Sequence, residues 1–178
     1  DTVIRIELAP LGITSRPDYI DFDSEKEILG EITESKSQDE WLAQMNFSGT
    51  YRQATEAMEQ FLFMLDNSAI KEAVIKRLDD PFWGTRRAAL NLLSSQGEDV
   101  SADLEAKLIN IAQHDKRASN RLDAYSLVSN NTGSIDYYGP GEEHLVAEKK
   151  QKYISLFTQG LKDSSYSVQE NCLGHLSN

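Results

Sequence analysis

A single cysteine, Cys172, stands in the 178 residues, so no internal disulfide and no cysteine-based metal cluster can form. Absence of disulfides does not by itself assign a compartment. Basic residues are also scarce: 18 Lys and Arg face 29 Asp and Glu, giving a formal charge of −11. Binding to nucleic acid rests on neutralising phosphates with Lys and Arg, so this balance argues against a nucleic-acid partner. No run approaches the ~20 apolar residues of a membrane-spanning helix. The opening DTVIRIELAP lacks the basic and continuous apolar regions of a signal peptide. What remains is 39% hydrophobic and 26% charged, the composition of an ordinary globular chain able to bury a core.

Two textures share the chain. Residues 1–36 carry a β pattern: Thr2 to Leu8 alternates, Leu11-Gly12-Ile13 and Arg16-Pro17 mark a turn, and Tyr19 to Asp23 is expected as a second strand, Glu27 to Thr33 as a third. Two or three strands are too few to bury a sheet face alone, so the segment reads as the end of a β-sandwich domain or as a β cap on the helical part of the chain. Residues 37–178 carry helical spacing. Ser37 to Glu40 fits a capping box, and seven further helices are expected over 51–65, 68–78, 81–95, 102–114, 117–129, 142–161 and 165–176. The apolar sets Ile70, Ala73, Val74, Leu78 and Tyr153, Ile154, Phe157, Leu161 each mark one face. The predicted fold class is mainly α, a superhelix of about four helix pairs.

One stretch, LDDPFWGTRRAALNLL, recurs in register. Counting from Asp80, the offsets +3, +6, +9, +10 and +13 hold Trp83, Arg86, Ala89, Leu90 and Leu93. From Asp163 they hold Tyr166, Gln169, Cys172, Leu173 and Leu176, and from Asp115 they hold Ala118, Arg121, Ala124, Tyr125 and Val128. From Ser48 they hold Tyr51, Ala54, Ala57, Met58 and Phe61. The origins at residues 48, 80, 115 and 163 lie 32, 35 and 48 residues apart, a spacing suited to helix-pair repeats. In this reading Asp or Ser at the origin caps the second helix of a pair, and Pro81 occupies its first turn. The aromatic residues Tyr51, Trp83 and Tyr166 cover junctions between pairs, and the small +9 residue permits close approach. Arg86 and Arg121 reach the aspartates Asp80, Asp115 or Asp163 as planar two-pronged donors, a role Lys cannot fill. Ala54 and Gln169 interrupt the series, so only the middle two rungs are expected to be charged.

An aspartate turn followed by Arg and an alanine–leucine run resembles the HEAT repeat, over residues 37–178. A narrower resemblance joins three segments: PDYIDFDSEKEILGEI, the capped SQDEWLAQM with Gln44 and Met45, and DPFWGTRRAAL. Their order is similar to the carboxy-terminal part of zinc aminopeptidases of the aminopeptidase N family, where a β-sandwich ends in a Pro-x-x-Val/Ile-x-Phe-Asp strand, here Pro17, Ile20, Phe22 and Asp23. That family binds zinc through His-Glu-x-x-His and the substrate amine through Gly-x-Met-Glu-Asn. Neither motif is present: the histidines are His114, His144 and His175, none at that spacing. The resemblance therefore implies a non-catalytic portion that holds no cofactor itself, with zinc in a catalytic domain outside this sequence. Implied partners are the catalytic and β-sandwich domains of the same parent chain, with peptide substrate at the concave face.

Other groups invite functional readings that the sequence favours less. His144 lacks a second ligand at helical spacing, Cys172 at a +9 position reads as a small core residue, and the recurring aspartates read as turn residues instead of an acid–base pair. The stretch NNTGSIDYYGPGEE, residues 130–143, lengthens the third spacing and places Tyr137 and Tyr138 in a Gly- and Pro-rich loop. It is a surface insertion or a lip that contacts substrate or partner. Two further functional classes stay open: a stand-alone HEAT-repeat interaction scaffold, and an inactive relative of the family used as one.

Overall fold

The computed structural model describes residues 7, 9–23, 27–30, 32–47, 49–95, 100–130 and 143–177, with side chains in the last stretch described from 147 onward. Eight α-helices are present among them: α1 (Gln38–Phe47), α2 (Tyr51–Glu59), α3 (Ser68–Arg77), α4 (Trp83–Ser94), α5 (Ala102–His114), α6 (Ala118–Asn130), α7 (Glu143–Gly160) and α8 (Tyr166–Leu176). The chain divides into two compact units, Asp1–Gln60 and Phe61–Asn178.

In the first unit, α1 begins where Ser37 and Glu40 satisfy each other's open groups. The Glu40 carboxylate accepts from the Ser37 amide and hydroxyl, both at 2.8 Å, while the Glu40 amide donates to Ser37 Oγ at 3.3 Å. Trp41, Gln44 and Met45 form the buried face of α1, and α2 supplies Ala54, Ala57 and Met58. The hydrogen bonds from Ser37, first the backbone amide and then the hydroxyl, with Arg16 nearby, lower the Glu40 pKa to about 2. Because this folded value lies below the ordinary 4.5, the contribution is complete above pH 4.5 and is lost as pH falls through about 2. Ser37→Ala is expected to move the Glu40 midpoint upward from about 2 towards 4.5, read from its side-chain carbonyl shift in an NMR titration. A wild-type midpoint already near 4.5 would contradict the capping box.

No strand is present among the described residues. Tyr19 to Asp23, where the alternation predicts one, is irregular, and residues 27–30 are irregular too; Thr2 to Ile6 and Leu8 lie outside the described residues. A strand needs a neighbour for its backbone groups, and here local contacts take them instead. Asp23, at φ 63°, accepts the amides of Glu27 and Ile28 at 2.8 and 3.0 Å, and Phe22 donates its amide to Glu34 at 2.7 Å. The apolar side chains of this segment stay exposed, including Leu11, Ile13, Ile20, Phe22, Ile28 and Leu29.

The second unit is built from three helix pairs, α3 with α4, α5 with α6 and α7 with α8. The second helices also pack in series, α4 on α6 and α6 on α8, which is how helix-pair repeats stack. Each first helix buries a stripe at helical spacing: Ile70, Ala73, Val74 and Leu78 around α3, and Leu104, Leu108, Ile111 and Ala112 in α5. In α7 the stripe is rotated from the predicted one. Tyr153, Leu156 and Phe157 are buried while Ile154 is half exposed, because the face is chosen by where α5 and α8 lie.

Candidate functional site

The recurring turn is the best-defined constellation in the chain. All four second helices, α2, α4, α6 and α8, start at offset +3, at Tyr51, Trp83, Ala118 and Tyr166. In each, the residue at +2 gives its carbonyl to the amide at +6: Thr50 to Ala54, Phe82 to Arg86, Arg117 to Arg121 and Ser165 to Gln169. The aspartate therefore sits too early to cap the helix, correcting the capping role read from the sequence. It makes an Asx turn instead, accepting the amide two residues on: Asp80 from Phe82 at 2.9 Å, Asp115 from Arg117 and Asp163 from Ser165, both at 2.8 Å. Pro81 precedes the helix, and α2 is capped by Thr50, whose hydroxyl accepts from the Gln53 amide at 3.3 Å. Ser48 lies outside the described residues.

Two guanidinium forks join successive pairs. Arg86 donates through Nε and Nη2 to Asp115 at 2.7 and 3.0 Å, and through Nη1 to the carbonyls of Asp80 and Pro81. Arg121 repeats the arrangement on Asp163 at 2.6 and 2.7 Å, with Nη1 on the Asp115 carbonyl at 2.8 Å. Each Arg thus ties its own turn to the aspartate of the next. At the same offset Gln169 keeps the first half only, donating to the Asp163 carbonyl. Asp80, which has Ala54 at the offset below it, is bound by Arg77 of the preceding helix at 3.0 Å. Hydrogen bonds from Arg121 hold the Asp163 carboxyl below its ordinary range. For Asp115, burial opposes ionisation, but bonds from Arg86, the Arg117 amide and Asn120 outweigh it and the pKa is lowered. Carboxylates fixed in this way are poor proton carriers near neutral pH.

The +3 aromatics part company. Trp83 is half-buried, with the Arg117 guanidinium 4.9 Å from its ring centre, and its carbonyl accepts from Asn120 Nδ2 at 3.1 Å. Tyr51 and Tyr166 are exposed, and Tyr166, at 86%, seals no junction of the second unit. Asn120 was not legible as important from its residue type. Fully buried, it also donates to Asp115, so one amide serves two repeats. The signal was its +5 offset, shared with buried Thr85 and Val168.

The first unit contains a polar cluster that the repeat pattern did not reveal. Oxygens of Asp21, Glu34 and Glu56 lie within 4.8 Å of one another. Asp21 Oδ2 accepts from Gln53 at 2.6 Å, and the ammonium of Lys36 lies on Glu34, on Gln44 Oε1 at 2.6 Å and 4.4 Å from the Trp41 ring centre. An all-oxygen set suits a hard cation, but Lys36 already supplies positive charge to one of its members. These residues lie 13 and 22 positions apart, a separation without any secondary-structure period.

Several further nucleophiles and bases among the described residues have structural surroundings. Burial raises the Cys172 thiol to about 11, so the thiolate is scarce at neutral pH, and the same cause raises neighbouring Tyr125 to about 12. His114 places Nδ1 3.1 Å from the Asn110 carbonyl, and His175 lies on Phe157 with ring centres 5.1 Å apart. Glu105, buried in the α5–α7 seam, accepts from Tyr153 and from Lys152 at 2.8 Å. Tyr137, Tyr138 and the side chain of His144 lie outside the described residues. The described residues thus define a mainly α chain whose second unit stacks helix pairs joined by Asp–Arg forks. Comparison with models of known protein families, with curated proteins and with solved structures found no match.

Proposed function

We propose that these residues form the non-catalytic C-terminal part of a zinc aminopeptidase of the aminopeptidase N family. In that role they pack against, and partly enclose, the peptide cavity of the parent enzyme. The observation that carries the reading is the exposure of Ile20 and Phe22, apolar residues that precede the helix pairs in the chain. Such exposure fits residues whose packing partners belong to a preceding β domain, followed by the helical domain in the family's order. The ligand motif His-Glu-x-x-His does not occur in this sequence, so the zinc and the water it activates belong to the parent's catalytic domain. The helix pairs supply shape and a fixed surface.

The coding sequence upstream of Asp1 tests this directly. In-frame His-Glu-x-x-His together with Gly-x-Met-Glu-Asn is the expected result. Degenerate remains of both would mark an inactive relative, and an immediate start codon would leave a stand-alone helical-repeat scaffold. Hydrolysis of aminoacyl anilides by the purified 178-residue chain would overturn the non-catalytic assignment.

A further inference from the structure

A cleft of about 310 Å³ opens in the second unit where the turn after α3 meets the end of α5. Arg86 and Asp115, the partners of the first fork, line it together with Asp79, Lys107, His114 and Lys116. Three fixed cations against two carboxylates leave one positive charge in surplus, in a chain whose formal charge is −11. The fork occupies Arg86 and Asp115, because the guanidinium takes the carboxylate through Nε and Nη2 and two carbonyls through Nη1. Lys107 is held loosely. Its ammonium pairs with Asp79, whose side chain is 66% exposed, and an ion pair so open to water contributes little. Exposed Lys116 has no carboxylate partner among the described residues, and the Asn110 side-chain amide, also on the cleft, has no hydrogen-bond partner among them. The carboxyl end of a helix ordinarily repels an anion, but here the closing carbonyls are covered. The Asn110 carbonyl lies 3.1 Å from His114 Nδ1, and the Ile111 carbonyl accepts the Asp115 amide at 2.9 Å. At the end of α3 the Lys76 and Arg77 carbonyls accept the amides of Asp79 and Asp80, both at 3.2 Å.

We propose that this cleft binds a phosphoryl group, as the free ion or as a small phosphomonoester, with the Lys107 and Lys116 ammoniums on its oxygens and the Asn110 amide as a further donor. A dianion can use both ammoniums at once, whereas a carboxylate carries charge enough for one. On binding, Lys107 exchanges its exposed partner Asp79 for a phosphoryl oxygen. Leu78, Pro81 and Ile111 also line the cleft and offer an apolar wall to the organic part of an ester. This inference is independent of the aminopeptidase reading.

Inorganic phosphate and phenyl phosphate are the probes, titrated at fixed ionic strength into the intact 178-residue chain and followed by amide shifts. Saturable shifts centred on Lys107, Asn110 and Lys116 are expected. Tighter binding of phenyl phosphate assigns the ester, and equal or weaker binding the free ion. Lys116→Gln is expected to weaken binding roughly tenfold, the loss of one hydrogen bond between charged groups. Asp79→Asn is expected to tighten it several-fold, because Lys107 is released. The control is Asp103→Asn, which removes the same charge in the first turn of α5, at the far end of that helix, and is expected to leave affinity unchanged. All three positions are exposed, and thermal unfolding checks that each variant keeps the fold. Equal tightening by Asp79→Asn and Asp103→Asn would show diffuse charge effects and overturn the proposal. So would acetate binding as tightly as phosphate, shifts centred elsewhere, or no saturation with either probe.

Discussion

Gly160→Ala is expected to destabilise the second unit by about 3 kcal/mol, at the upper end of what overpacking a buried site does. Gly160 lies at the end of α7, where the chain turns into the third aspartate turn. A Cβ built on it would stand 2.3 Å from Cys172 Sγ and 3.0 and 3.1 Å from Tyr125 Cζ and Oη. Neither neighbour can step aside, because Cys172 is fully buried and Tyr125 is 2% exposed, with Phe157 6.1 Å away, ring centre to ring centre. Glycine is needed here for close approach of three helices and not for an unusual backbone angle. The partner change Cys172→Ala removes the closest clash but leaves Tyr125, so Gly160→Ala/Cys172→Ala should recover only part of the loss. Urea denaturation of the two single variants and the double variant measures this as a coupling energy. A Gly160→Ala variant within about 0.5 kcal/mol of the parent would show that α7 does not approach α8 this closely.

Arg121→Met should cost the same unit about 3 kcal/mol, because it leaves one carboxylate buried without its counter-charge. The Arg121 and Asp163 side chains are each only 11% exposed, so solvent screens the pair weakly. Without the fork, Asp163 keeps the Ser165 amide, and the Asp115 carbonyl loses its donor from Nη1. Arg121→Lys retains charge but not the planar double contact and should fall between. The pH dependence comes from the direction of the shift. Asp163 has its folded pKa below the ordinary 3.8, so the pair's contribution is full above about pH 4 and is lost as pH falls through the lowered value. The gap between parent and Arg121→Met is therefore expected to be widest near neutral pH and to close in acid. A gap that is independent of pH would assign the effect to lost packing by the arginine stem.

Much of the repeat architecture is readable in the sequence. Apolar spacing locates the helices, and a fixed offset from Asp80, Asp115 and Asp163 marks the start of α4, α6 and α8. The offset to Arg86 and Arg121 is also visible, because a guanidinium six residues after an aspartate is a sequence-local fact. Its partner is not: the spacing leaves open whether the arginine meets its own aspartate or the next one, and the fold uses the own carbonyl and the next carboxylate together. The capping role assigned to the aspartates failed for a local reason. An Asx turn and a helix cap both want Asp, and they differ only in where the helix begins, by two residues.

Other features depend on contacts between residues far apart in the chain. Asp21, Glu34 and Glu56 converge although no periodicity joins them, and buried Asn120 donates to the Trp83 carbonyl of the preceding pair. Tyr166 has the same offset as Trp83 and the opposite environment, since burial is a property of what lies across the seam and not of the residue. The sequence by itself determined the mainly α class, the helices, the register of the turns and the residues able to make rungs, all of which rest on short-range geometry and periodicity. Only the tertiary structure decided that Gly160 must be small, that Leu156 and not Ile154 faces inward, and that Tyr166 and Leu173 stand open. Those outcomes are set by the distance between helices, which no repeat period encodes.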